Sequence, residues 1–262
     1  DLHEAQTLLY VSTGTGPYNE QLDPITINEW WWMAENDVME MTKQGVPGVW
    51  TYGFYDGWVP NYMFFLVHSH NAIGRFYEVQ SYGSGCNGVV GAGRGGAPGP
   101  VPAPGGAAAT PAAVADTSLT QILGGTNYNQ SREWFRPNPT PNDIKWGSRA
   151  NTNIQQSGVL YALWNTGKER DRFLENYWIK NKNAIKKGKV GPIKGWVIPA
   201  SQHAKANAAE AVNELVDQGL EFHVAAADGK FGNVDVKKGD WLIRGDQPFR
   251  TIADMYFSIQ NY

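Results

Sequence analysis

Residues 23–45 read DPITINEWWWMAENDVMEMTKQG, and this stretch sets the class of the fold. Asp23 is a capping residue, and Pro24 takes the first helical position, where a missing N–H costs nothing. Ile27, Trp30, Trp31, Ala34, Val38 and Met41 then recur at helical spacing until Gly45 ends the run. One face of the predicted helix is therefore apolar and needs a core to pack on. Downstream, residues 49–55 and 75–81 are rich in β-branched and aromatic side chains and read as buried strands, with turn signals at Asp56-Gly57 and Pro60-Asn61 between them. Apolar strands beside an amphipathic helix predict an α/β protein.

Further along, residues 153–164 and 169–187 read as long helices, the second with Phe173, Leu174, Tyr177 and Trp178 on one side and a basic tail suited to a helix C-terminus. After Gly188 the pattern becomes strand (195–199), helix (201–218, stopped by Gly219) and strand (220–226), which is a βαβ unit. Another strand at 241–244 and a helix at 248–259 complete a small second α/β domain, residues 191–262, whose uncapped Gln260-Asn261-Tyr262 end reads as truncated. Residues 1–190 form the first domain. Within it, residues 83–115 collapse into Gly, Ala and Pro, too little apolar area to offset ordering entropy, and are expected to be an exposed, flexible insertion. Residues 132–146, with Pro137, Pro139 and Pro141, read as an extended polar loop.

Composition removes several classes of function. With 262 residues, 42% of them hydrophobic, and 11 Trp, 12 Tyr and 10 Phe, the chain has ample material for a core and is not disordered throughout. Twenty-two basic against 25 acidic residues leave a formal charge of −3, which supplies no field for a phosphate backbone, so nucleic acid is not an expected partner. No apolar run approaches the roughly 18–20 residues of a membrane span. The single cysteine, Cys86, excludes a disulfide framework and a Cys-based zinc cage. Asp1-Leu2-His3-Glu4 has neither an initiator Met nor a signal-peptide profile and reads as internal to a longer protein.

Five histidines are candidates for chemistry, yet no His-x-x-Glu or His-x-x-x-His pair seeds a metal site. His68-Ser69-His70 comes nearest, because a strand would put both rings on one face; structural histidines are the leading reading there, as they are for His203 and His223. The Gly-rich segment lacks a phosphate-binding signature, there is no nucleophile elbow, and Cys86 has no base beside it. Glu78 is the strongest candidate. A carboxylate near the end of a buried apolar strand is costly unless a metal, a cation or a catalytic task offsets its desolvation, although a strand-end glutamate also reaches solvent.

Several motifs together resemble the zinc carboxypeptidases of the M14, carboxypeptidase A-like family. They are Asp1-Leu2-His3-Glu4-Ala5-Gln6, the Gly14-Thr-Gly-Pro-Tyr-Asn19 loop, Gly45-Val-Pro-Gly-Val-Trp-Thr51, Phe54-Tyr-Asp-Gly-Trp58, Asn71-Ala-Ile-Gly-Arg-Phe-Tyr-Glu78 and Ser131-Arg-Glu-Trp-Phe-Arg-Pro137. The likeness continues through Val197-Ile-Pro-Ala200 and Gly245-Asp-Gln-Pro-Phe-Arg250. It implies the C-terminal half of a mixed-sheet α/β carboxypeptidase domain, followed by a small amidotransferase-like α/β domain without a cysteine nucleophile. It also implies a zinc ligand at His3, a general base at Glu78, and a substrate-facing tyrosine at Tyr55, with Tyr52 as the other choice. The implied substrate is a peptide or protein, and the implied location is bacterial and secreted or periplasmic. The family's His-x-x-Glu ligand pair belongs before Asp1, so this chain alone is expected to be inactive unless it associates with that missing part. The alternative is a non-catalytic protein that uses the same scaffold for binding or self-association.

Overall fold

The computed structural model describes residues 2–3, 7–51, 56–59, 62–80, 120–123, 138–139 and 144–259. Strands β1 (Leu2–His3), β2 (Leu9–Val11) and β3 (Thr15–Tyr18) precede helix α1 (Pro24–Lys43). Strands β4 (Val49–Trp50) and β5 (Asp56–Gly57), helix α2 (Met63–Ser69) and strands β6 (Tyr77–Gln80), β7 (Thr120–Leu123) and β8 (Ile144–Gly147) follow. Helices α3 (Ser148–Lys168) and α4 (Arg170–Val190) lead into β9 (Gly195–Ile198), α5 (Lys205–Asp217), β10 (Phe222–Val224), β11 (Gly229–Phe231), β12 (Val234–Val236), β13 (Trp241–Arg244) and α6 (Arg250–Tyr256). The protein is thus mixed α/β, with six helices and small sheets among the described residues. Tyr52, Tyr55, Cys86 and the Gly/Ala/Pro-rich residues 83–115 lie outside them.

The chain divides into two compact units, neither continuous in sequence. One comprises residues 1–12, 34–52 and 76–164; the other comprises 13–33, 53–75 and 165–262.

In the first unit, four strands pair in the order β1-β6-β2-β4. β6 runs antiparallel to β2, with Leu9 opposite Val79, while β1 is parallel to β6 and β4 is parallel to β2. Strand alternation sends Leu9, Val11 and Val79 into one cluster with Ala34, Val38 and Met41 of α1 and Ile154 of α3. Leu9, Ala34 and Met41 are fully buried, and each buried large aliphatic side chain contributes about 1.5–3 kcal/mol. Gly158 permits the close fit of α3 here, because a Cβ at that position would meet Tyr77 Cε1 at 3.1 Å and Leu9 Cδ2 at 3.3 Å. Asn138, at φ +56°, fastens the turn after α1: its Nδ2 donates to Val46 O at 2.6 Å, and its carbonyl accepts Gly48 N–H at 3.0 Å.

In the second unit, β13 is antiparallel to both β9 and β10, giving the order β10-β13-β9. β9 and β10 therefore run parallel, as a βαβ reading requires, but they are not neighbours. This corrects the simple βαβ unit to a split one. Placing β13 between them lets one central strand use both of its hydrogen-bonding edges, with Ile243 completely buried. Leu215, Leu220, Ile252 and Ala253 close the core around it, joined by Trp196, Phe222 and Phe249.

Two further expectations are overturned in this unit. Asp56-Gly57, read as a turn, forms β5 and pairs with β3. The apolar side of α4 is not its buried side: Leu174 and Trp178 are 66% and 58% exposed, whereas Lys180, Ala184 and Gly188 are buried. Close backbone approach explains the choice of residues, since a Cβ on Gly188 would lie 2.0 Å from Gly245 O. At Gly188 helix α4 therefore meets backbone directly, and no side chain fits there.

Candidate functional site

Glu78 sits in the middle of β6, where alternation separates it from the core. Its neighbours Tyr77 and Val79 face the packed side, and the Tyr77 hydroxyl donates to the buried Asp37 Oδ2 at 2.6 Å, with Gly158 O 3.1 Å away. On the other face, Glu78 stands directly across from Tyr10 of β2. Tyr10 is buried, and its ring meets Phe76 edge-on at 6.1 Å and 79°. Glu78 is thus half-buried beside two aromatic rings, and no hydrogen bond joins its carboxylate to another described residue. Burial raises its pKa above the ordinary glutamate value, because desolvation penalises the charged form.

β1 brings the other sequence-predicted residue to the same strand. Leu2 pairs with Val79 and His3 with Gln80, so the backbone of His3 lies two residues along β6 from Glu78. Residues 3 and 78, remote in sequence, thereby occupy adjacent strands. Tyr55, the third candidate, is outside the described residues.

His68 and His70 are structural. His68 and His70 are not on a strand: His68 lies in α2 and His70 caps it, which corrects the expectation of two rings on one strand face. His68 is 1% exposed, packs on Trp30 at 4.9 Å and Phe65 at 5.8 Å, and donates from Nε2 to Gly74 O at 2.8 Å. Burial lowers its pKa to about 4, reinforced by the positive Lys180 and only partly opposed by the Gly74 bond. His70 is committed to backbone through both nitrogens, with Nδ1 2.7 Å from Leu66 O and Nε2 2.8 Å from Gln218 O. Neither ring is available as a chelate arm, and His203 and His223 are exposed.

Zinc held in the manner the resemblance implies needs three protein ligands. Among the described residues no three His, Cys, Asp or Glu side chains gather in a metal-binding group. The described residues therefore do not complete such a site.

Two charged constellations escaped the sequence reading. Glu29 of α1 accepts from Lys180 Nζ at 2.5 Å and from Asn176 Nδ2 at 2.9 Å, with both charged side chains more than nine-tenths buried. Arg250 grips Asp254 through Nε at 3.0 Å and Nη2 at 3.2 Å, spends Nη1 on the carbonyls of Ile193 and Gly245, and stacks over Trp196 at 5.1 Å. The i, i+4 spacing of Arg250 and Asp254 was a readable signal; the Glu29–Lys180 pair, far apart in sequence, carried none. Compared with protein-family models, curated proteins and solved structures, the chain matches none.

Proposed function

We propose that this chain is the C-terminal part of an M14-like zinc carboxypeptidase domain with a small amidotransferase-like α/β appendage, acting on peptides or proteins in a bacterial secreted or periplasmic setting. His3 is one zinc ligand in this reading, and the others come from sequence outside these 262 residues. Glu78 is the general base: its carboxylate takes a proton from the attacking water and returns it to the leaving amine. The observation that carries the reading is the placement of Glu78, half-buried across from Tyr10, on the strand whose neighbour holds His3. A carboxylate raised in pKa and without a hydrogen-bonding partner among the described residues is suited to proton transfer.

The test uses the protein carrying its natural upstream sequence alongside this chain alone. The longer form is expected to hold about one zinc per molecule and to release C-terminal residues from peptides. Glu78→Gln is expected to lower that rate by roughly 10²–10⁴-fold with zinc retained, and the chain alone is expected to be inactive. A longer form without zinc, or a Glu78→Gln variant of undiminished rate, contradicts the proposal. The second reading, a non-catalytic binding or self-associating protein, draws support from Leu160, Leu163 and Trp164, which leave an apolar face of α3 more than half exposed. It is the conclusion if the longer form is inactive.

A further inference from the structure

The second unit contains a cavity of about 260 Å³ whose wall includes the buried Glu29–Lys180 pair. The rest of its lining is mainly apolar or aromatic, chiefly Met33, Ile73, Phe173 and Tyr177, with Asn71 and Thr166 as further polar residues. Two polar groups on this wall are incompletely used. Among the described residues, the ammonium of Lys180 makes one hydrogen bond, to Glu29 Oε2, although it carries three donors and is 2% exposed. Asn71, equally buried, spends Nδ2 on Asn181 Oδ1 at 3.3 Å and on Pro248 O at 3.0 Å, which leaves Oδ1 as its remaining acceptor. A surplus donor and a surplus acceptor line one apolar chamber.

We propose that this cavity is a binding site for a small uncharged amide on an aromatic or branched apolar body, with the amide carbonyl accepting from Lys180 and its N–H donating to Asn71. The charge balance selects a neutral ligand. Glu29 and Lys180 already neutralise each other, so a carboxylate or an ammonium would leave a net charge in a desolvated site. Size agrees as well, since a cavity of about 150 Å³ already accommodates benzene and this one leaves room for a ring bearing a short amide arm. The cavity is built from residues of the second unit alone, and the proposal does not depend on the peptidase reading.

3-Phenylpropionamide, 3-phenylpropionate and 3-phenylpropylamine, matched in size, are the probes, titrated into the full chain by calorimetry and followed by amide NMR. The amide is expected to bind at least about tenfold more tightly than either charged analogue, with shifts centred on Asn71 and Lys180. Ala72→Trp, which fills the lined space while leaving the ion pair intact, is expected to abolish binding with little change in the melting temperature. Lys180→Met is expected to weaken binding but also strands Glu29, so the Ala72 variant decides the matter. The proposal is overturned if no probe binds the folded protein, if a charged analogue binds as well as the amide, or if Ala72→Trp folds and leaves the affinity unchanged.

Discussion

Glu78 in the first unit and Asp254 in the second are both carboxylates withdrawn from water, and they are handled in opposite ways. Asp254, 3% exposed, is held by the Arg250 fork and by Lys187 Nζ at 2.9 Å. Glu78 has aromatic neighbours and no hydrogen-bond partner among the described residues, so burial raises its pKa and the positive charge of the N-terminus opposes that only in part. A paired carboxylate fastens elements together; one without a hydrogen-bonding partner keeps its proton affinity free for chemistry. Gly245-Asp-Gln-Pro-Phe-Arg250 is accordingly a structural motif, since Arg250 ties Gly245 and Ile193 to α6.

The sharpest way to break this contrast is at Arg250. Arg250→Met removes the guanidinium fork from Asp254 and leaves it Lys187, with an expected cost of about 3–5 kcal/mol in denaturant unfolding, whereas replacing both Arg250 and Asp254 with apolar residues is expected to cost much less. Equal losses for the single and double variants would show that the arginine acts by packing alone.

Next in size is the response to acid. His68 is held near pH 4 in the folded state against 6.5 as its reference value, so between those values the unfolded chain binds the extra proton. Stability then falls as pH drops from 6.5 towards 4, by an amount on the order of 3 kcal/mol, and is fully present above 6.5. His68→Phe is expected to flatten that part of the stability profile measured by urea unfolding; an unchanged slope would exclude His68 as its source.

Tyr77→Phe removes the donor to buried Asp37 while leaving the ring against Gly158, with an expected loss of about 1–3 kcal/mol. Thermal unfolding indistinguishable from wild type would mean that the hydroxyl contributes nothing net. The smallest effect belongs to Glu78→Gln. Because burial disfavours the charged glutamate, the neutral amide is expected to leave stability unchanged or slightly higher at neutral pH, by less than about 1 kcal/mol. A loss well above that would reveal a partner and make Glu78 structural like Asp254.

What was legible in the sequence follows the range over which each feature is determined. Helix α1 announced itself through Asp23, Pro24 and the recurrence of Trp30, Ala34, Val38 and Met41, all local signals, and it ends within two residues of Gly45. Helix α2 was missed because residues 62–68 are a short continuous apolar run, for which periodicity does not separate strand from helix. The split order of β9, β13 and β10 and the burial of Lys180 in place of Leu174 depend on partners far along the chain, which a local pattern does not encode. Glu78 stood out as a carboxylate in an apolar strand. Its position across from Tyr10 and beside the strand of His3 became visible only with the register.

The most direct measurement is the titration of the Glu78 carboxyl by carbon-13 NMR in the folded protein, with Glu78→Gln to assign the signal. Burial predicts a midpoint above that of glutamate in an unfolded peptide, and a further rise when salt screens the positive N-terminus. A midpoint at or below the unfolded value would mean that a cation or hydrogen bond already holds Glu78 and would remove the basis for assigning it a proton-transfer role.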